Sequence, residues 1–291
     1  MLSTAEYELF AMNQQDKVAV MEIQYQLVNE GGGLISSFIN FITGLIKRVV
    51  DFITSPFKKK AISNVDDNDN AKAFKSEVKV PILDPDKTLD IAKQMIHDAT
   101  TLSQKIMSQD FNDTDKTLYD KIAAEVNTDG AITKKLQGTM PGMANGKIYA
   151  TKTLNIVEVC DISNKIQDCK NKLVEISKPA QKSMEAAKNK VNQISNEEKQ
   201  KKFIGIQTVL SRYLTIAVSF PNSLFDACIK MCNEAGASIK KDFEEKNPGR
   251  EMHIQYASTS QDEENKPEEN NKPNEGQIRN NKNKNNKNKK R

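Results

Sequence analysis

Residues Gly31–Lys60 read GGGLISSFINFITGLIKRVVDFITSPFKKK, and the pattern inside this stretch decides the fold class. Three glycines lead into it, and Pro56 with the run Lys58, Lys59 and Lys60 closes it, so the spacing predicts a helix from Leu34 to about Thr54. At about 100° per residue, Leu34, Ile35, Phe38, Ile39, Phe41, Ile42, Leu45, Ile46, Val49, Val50, Phe52 and Ile53 share an arc of about 180°. The other half is filled by Ser36, Ser37, Asn40, Thr43, Gly44, Lys47, Arg48, Asp51 and Thr54. Carrying Lys47, Arg48 and Asp51 through a bilayer centre would cost about 2.5 to 3.5 kcal/mol each, so this helix lies along a boundary and does not cross one. Two boundaries are open: the protein's own core or an oligomer contact, and a lipid interface favoured by the basic flank. On either, the expected contact residues are Leu34, Phe38, Phe41, Ile42, Leu45, Val49, Phe52 and Ile53.

Upstream, Ser3 and Glu6 form a capping-box pattern that opens a helix through Leu9, Phe10, Val18, Met21, Ile23, Leu27 and Val28. Residues 1–57 are thus expected to form an amphipathic helical hairpin, and residues 58–80 a linker. The linker's Asp66, Asp67 and Asp69 lack the glycine and distal glutamate of a calcium loop. A helical bundle is expected over 81–250. Pro85 fits a first helical position, followed by an inner stripe from Leu89 to Ile106. GMANG, residues 142–146, lacks the order of a phosphate loop, and a short strand is expected near Ile148. Ile162, Ile166, Cys169, Leu173, Ile176 and Ala180, then Met184, Ala187, Val191 and Ile194, have heptad-like spacing, with Pro179 predicting a kink or a restarted helix. The apolar run of residues 203–220 reads as a half-buried helix with Gln207, Thr208, Ser211 and Arg212 on its outer side. Pro221 closes it, and Ser223 and Asp226 then cap a last helix, giving an antiparallel hairpin joined at FPNS.

The totals agree with an all-α class: an elongated, coiled-coil-like helical bundle with a disordered C-terminal tail. A hydrophobic content of 37% and a mean hydropathy of −0.64 leave room for polar helices and unfolded segments. The tail is expected to be disordered over residues 251–291. Its end carries Arg279, Lys282, Lys284, Lys287, Lys289, Lys290 and Arg291 with no acid, and removing these seven from the net charge of +4 leaves −3 on the rest of the chain. Such a run is either a solvated tail or an electrostatic contact for nucleic acid. Cys160, Cys169, Cys228 and Cys232 show neither a disulfide framework nor ligand spacing with His97 or His253, and read as buried thiols. Glu6 and Glu8 stand where a secretory signal would carry positive charge. No motif assigns a cofactor, a metal or a catalytic group, and a non-enzymatic role is expected.

The opening module, STAEYELFAMNQQDKVAVMEIQYQLVNEG followed by the Phe-, Ile- and Lys-rich helix, resembles the N-terminal part of internal or structural virion proteins of tailed bacteriophages. The resemblance covers about the first 60 residues and is one of organisation. It implies location in the virion, contacts with other virion proteins or with further copies of the chain, and trimming by a protease that cuts after glutamate. Glu30 before Gly31 is the candidate cut, although Val28 stands where that pattern prefers Leu or Ile. Contact with packaged DNA through the tail, and with a membrane surface through residues 34–54, complete the expected partners. The alternatives are a membrane-active α-helical pore-former-like protein and a nucleic-acid-binding accessory protein acting through the basic tail, with the host cytoplasm, peripheral to the membrane, as the alternative location.

Overall fold

The structure, a computed structural model, describes residues 33–54, 61–65, 69–128, 131–140 and 148–256. The expected N-terminal helix, Glu30, the GMANG loop and the tail cations from Arg279 to Arg291 lie outside the described residues. The protein is all-α in class: helices α1 (Leu34–Thr54), α2 (Asp69–Ala73), α3 (Pro85–Ser108), α4 (Asp113–Asn127), α5 (Ala131–Gln137), α6 (Ile156–Val191) and α7 (Glu197–Lys246) dominate it. Among the described residues four short strands, β1 (Ile62–Val65), β2 (Lys75–Pro81), β3 (Tyr149–Asn155) and β4 (Ile254–Tyr256), form two antiparallel ribbons, β1 with β4 and β2 with β3.

Local chemistry accounts for the helix starts. The Asp84 side chain accepts from Lys87 N at 3.1 Å, with Pro85 at the first position of α3. Asn112 and Asn155 open α4 and α6 with reciprocal capping boxes, and Asn196 accepts from Lys199 N at 2.8 Å to open α7. Packing then decides the arrangement. Helices α6 and α7 run antiparallel, so that Lys170 meets Asp226 and Leu173 lies near Val218. Both α1 and α3 pack against this central pair. In α6 the heptad-like stripe is buried at Ile166, Cys169, Leu173, Ala180, Met184, Ala187 and Val191. The helix continues unbroken through Pro179, which is exposed.

Three expectations are corrected. The hairpin at FPNS does not exist, because α7 is one helix of 50 residues that passes through Pro221. A proline inside a helix forfeits a backbone hydrogen bond and clashes with the preceding turn, at a cost of about 3 kcal/mol. Phe220 and Phe225, at 3% and 0% exposure, place deep core contacts on both sides of it, and that burial outweighs the cost. Asp226 accordingly caps no helix. The outer side expected for Gln207, Thr208, Ser211 and Arg212 is also absent, since all four are buried. Finally, the segment read as a linker holds β1, α2 and β2, and the segment read as the start of the tail holds β4 and the buried Met252.

Residues 75–81, KSEVKVP, alternate exposed and buried, with Ser76, Val78 and Val80 inward against α7. Ser76 donates a hydrogen bond to Asp242 of α7. The other ribbon approaches α7 at Gly236, where a Cβ would overlap Ile62 Cδ1 and lie 3.2 Å from Ile156 Cδ1. Those contacts are the ends of flexible side chains, so Gly236→Ala is expected to be near neutral, the helix-propensity gain of about 1 kcal/mol offsetting the displacement. Gly236→Val exceeds the available space and should cost about 1 to 3 kcal/mol by overpacking. Urea unfolding of both variants checks the difference.

Candidate contact helix

Helix α1 begins with Ser37 N donating to Gly33 O at 2.9 Å, and ends with Thr54 Oγ1 donating to Val50 O at 2.8 Å. The apolar arc read from sequence divides into two strips. Leu34, Phe38, Phe41, Ile42, Leu45 and Val49 are buried against the core, with Phe38 edge-on to Phe203 of α7 at a ring-centroid separation of 6.4 Å. Phe52 and Ile53 of the expected contact set are half-buried, over a cavity of about 10 Å³ shared with Leu173, Val174, Ser177, Val218 and Asn222. That volume holds no more than about one water molecule, so α1 closes tightly on α6 and α7. Of the two boundaries open to this helix, six of its eight candidate contact residues therefore face the protein's own interior. For that strip to meet lipid, α1 would first have to leave the bundle.

Polar ties join the other elements. Ser103 of α3 donates to Gln207 Oε1 of α7 at 2.9 Å, and Tyr213 of α7 donates to Glu125 of α4 at 3.0 Å. Burial, with the neighbouring Glu125, pushes the Tyr213 phenol far above its ordinary range. Asp86 of α3 pairs with Lys165 of α6 at 2.9 Å and accepts from Cys169 Sγ at 3.4 Å, and the Lys165 contact holds the Asp86 carboxyl below its usual range. Lys105 bonds Asp115 at 2.6 Å, which likewise lowers that carboxyl. The Lys170–Asp226 pair joins α6 to α7, with the Lys170 side chain 5% exposed and that of Asp226 30%. Sequence reasoning missed this pair, because its members are 56 residues apart and Asp226 also fits a local capping pattern.

All four cysteines are free and buried. Burial raises the Cys160 and Cys169 thiols to about 11 and the Cys228 and Cys232 thiols to about 12. A thiol moved from about 9 to about 11 loses about a hundredfold in thiolate at pH 8, which suits a packing role and opposes a nucleophilic one. A thiol-reactive disulfide reagent at pH 8 should therefore label none of the four in the folded protein and all four in denaturant. Rapid labelling of the folded chain would contradict the buried assignment.

Among the described residues no group of three or more His, Cys, Asp or Glu is arranged to hold a metal ion. His97 is exposed, and His253 lies 3.8 Å from Glu251 at the surface. A depression of about 510 Å³ over α4 is lined, among the described residues, by Asp113, Thr114, Thr117, Leu118 and Lys121, all from one helix. One described helix, α7, contains a stretch long and apolar enough to cross a membrane, and 83% of that stretch is buried inside the protein. Comparison with protein-family models, curated proteins and solved structures finds no match to this chain.

Proposed function

We propose that this chain is a non-enzymatic structural or internal protein of a phage particle, a helical body trimmed after Glu30 and carrying a basic tail that contacts packaged DNA. The observation that carries this reading is the junction between the acidic opening segment and α1. Glu30 precedes Gly33 by three residues, and Leu34, the first described buried side chain, follows at once. Cleavage there would leave α1 whole, since that helix starts at Leu34, as a maturation cut in a folded particle component requires. The tail, with seven cations and no acid after Gly276, suits a sequence-independent, salt-sensitive attraction to phosphates.

Mass spectrometry of purified particles tests the reading directly. The expected result is this chain in the virion with an N-terminal peptide that begins at Gly31. Absence of the chain from particles overturns the assignment. Presence with residues 1–30 intact overturns the trimming alone.

A further inference from the structure

We infer that Cys160 of α6 and Cys232 of α7 are a disulfide site, two thiols that a small disulfide oxidant of the glutathione class joins into a covalent staple between the central helices. The antiparallel register brings them together. Ile156 Cδ1 lies 3.2 Å from where a Cβ on Gly236 would stand, and Lys170 meets Asp226 further along the same pair of helices. One turn inward from the first of these contacts, four residues on along α6 and four back along α7, stand Cys160 and Cys232. Both are buried and free. The missing Cβ at Gly236 lets the Ile156 side chain reach toward the backbone of α7, so the helices are close in the neighbouring layer. Burial, and then the charge of Cys160, push the Cys232 thiol up, which puts the two sulfurs within electrostatic reach.

The other two cysteines are placed differently. Cys169 donates to Asp86 of α3 at 3.4 Å, on a different contact of α6. Cys228 shares a helix with Cys232 at a separation of four residues, a poor geometry for a bridge between them.

Closure takes two exchanges. One protein thiolate attacks a sulfur of oxidised glutathione, forming a mixed disulfide and releasing the first glutathione thiolate. The second protein thiolate attacks the protein sulfur of that mixed disulfide, forming the Cys160–Cys232 bond and releasing the second glutathione. Two protein thiols are oxidised, one glutathione disulfide is reduced, and the two protons pass to the glutathione thiolates. Neither exchange fits inside the closed bundle, because the buried thiols carry little thiolate and exclude the oxidant. The bridge therefore forms as the chain folds or while α6 and α7 are parted, and the folded, reduced chain keeps its thiols. A reducing compartment leaves the site open, and oxidising surroundings close it. The inference does not depend on the particle assignment.

Equilibrating the full chain with reduced and oxidised glutathione at its urea midpoint tests the site, since repeated opening there gives the thiols access to the oxidant. After alkylation of the remaining thiols, trypsin puts each cysteine in its own peptide: Lys165 separates Cys160 from Cys169, and Lys230 separates Cys228 from Cys232. Loop closure alone favours near neighbours. Cys160 is 9 residues from Cys169 and 72 from Cys232, so an unstructured chain forms the shorter loop about twentyfold more often. The expected result reverses that order, with Cys160–Cys232 the main bridge and the oxidised chain melting about 10 °C above the reduced one. Cys169→Ser/Cys228→Ser should keep both results, and Cys160→Ala should show no difference between its oxidised and reduced samples. The wild-type map decides if either variant fails to fold. A main bridge at Cys160–Cys169 or Cys228–Cys232, bridges between chains only, or four alkylated thiols each overturn the inference. So does a Cys160–Cys232 bridge that leaves the melting temperature unchanged.

Discussion

Phe38→Asp is expected to remove about 4 kcal/mol or more of folding stability, enough to unfold most of a marginally stable domain or to detach α1 from it. Phe38 is 0% exposed and its ring meets Phe203 edge-on, so the substitution deletes an aromatic side chain from the core and leaves a carboxylate with no water around it. Phe52→Asp belongs to the same apolar arc but falls on a half-buried residue in the last turn of α1, where a new carboxylate can reach solvent, and should cost about 1 kcal/mol. The pair separates the two boundaries that the amphipathic pattern leaves open. A helix whose apolar face waited for lipid would tolerate either change in solution, whereas a helix packed on α6 and α7 tolerates only the second. Urea unfolding followed by circular dichroism measures both. A loss below about 1 kcal/mol for Phe38→Asp would mean that α1 does not contribute to the core in solution.

The contrast between those two phenylalanines also marks how far sequence reasoning reaches. The limits of α1 were legible because glycines and a proline bracket a periodic run, and the start of α3 was legible because Asp84 and Pro85 are a cap and a first-turn residue side by side. The inner face of α6 followed from its heptad-like spacing. What stayed hidden depends on contacts distant in sequence. Pro221 carries a strong local stop signal, and only the burial of Phe220, Leu224 and Phe225 overrides it. Strand β2 could have been found from the alternation in KSEVKVP, a signal masked by the polar, aspartate-rich residues before it. Strands β1 and β4 are too short to announce themselves, since each exists only by pairing with the other across the chain. In α1 the width of the apolar arc was visible, but its division into a buried strip and a half-buried flank depends on where α6 and α7 lie.

Asp226→Ala is expected to cost about 3 kcal/mol, and Lys170→Met much less, about 1 kcal/mol. Removing one member of a buried ion pair is costly because the other charge is left desolvated. The two members differ in how much water remains to them: the Lys170 side chain is 5% exposed and that of Asp226 is 30%. Losing the aspartate therefore takes the charged acceptor away from a deeply buried ammonium, whereas losing the lysine leaves a carboxylate that solvent partly screens. The double variant Lys170→Met/Asp226→Leu should recover most of the loss, since an apolar pair of similar volume fills the site without a desolvation penalty. That recovery would place the pair's value in alignment. The stripe on α6 repeats about every seven residues, so a slip of one repeat against α7 would exchange like for like along much of the interface. A single charged pair would then disfavour the slipped register, in which Lys170 would face Ser219 or Asn233 in place of Asp226. The complete double-mutant cycle, read by urea unfolding, gives a coupling energy between the two positions. Equal losses below about 0.5 kcal/mol for both single variants would show that the pair opens to solvent and aligns nothing.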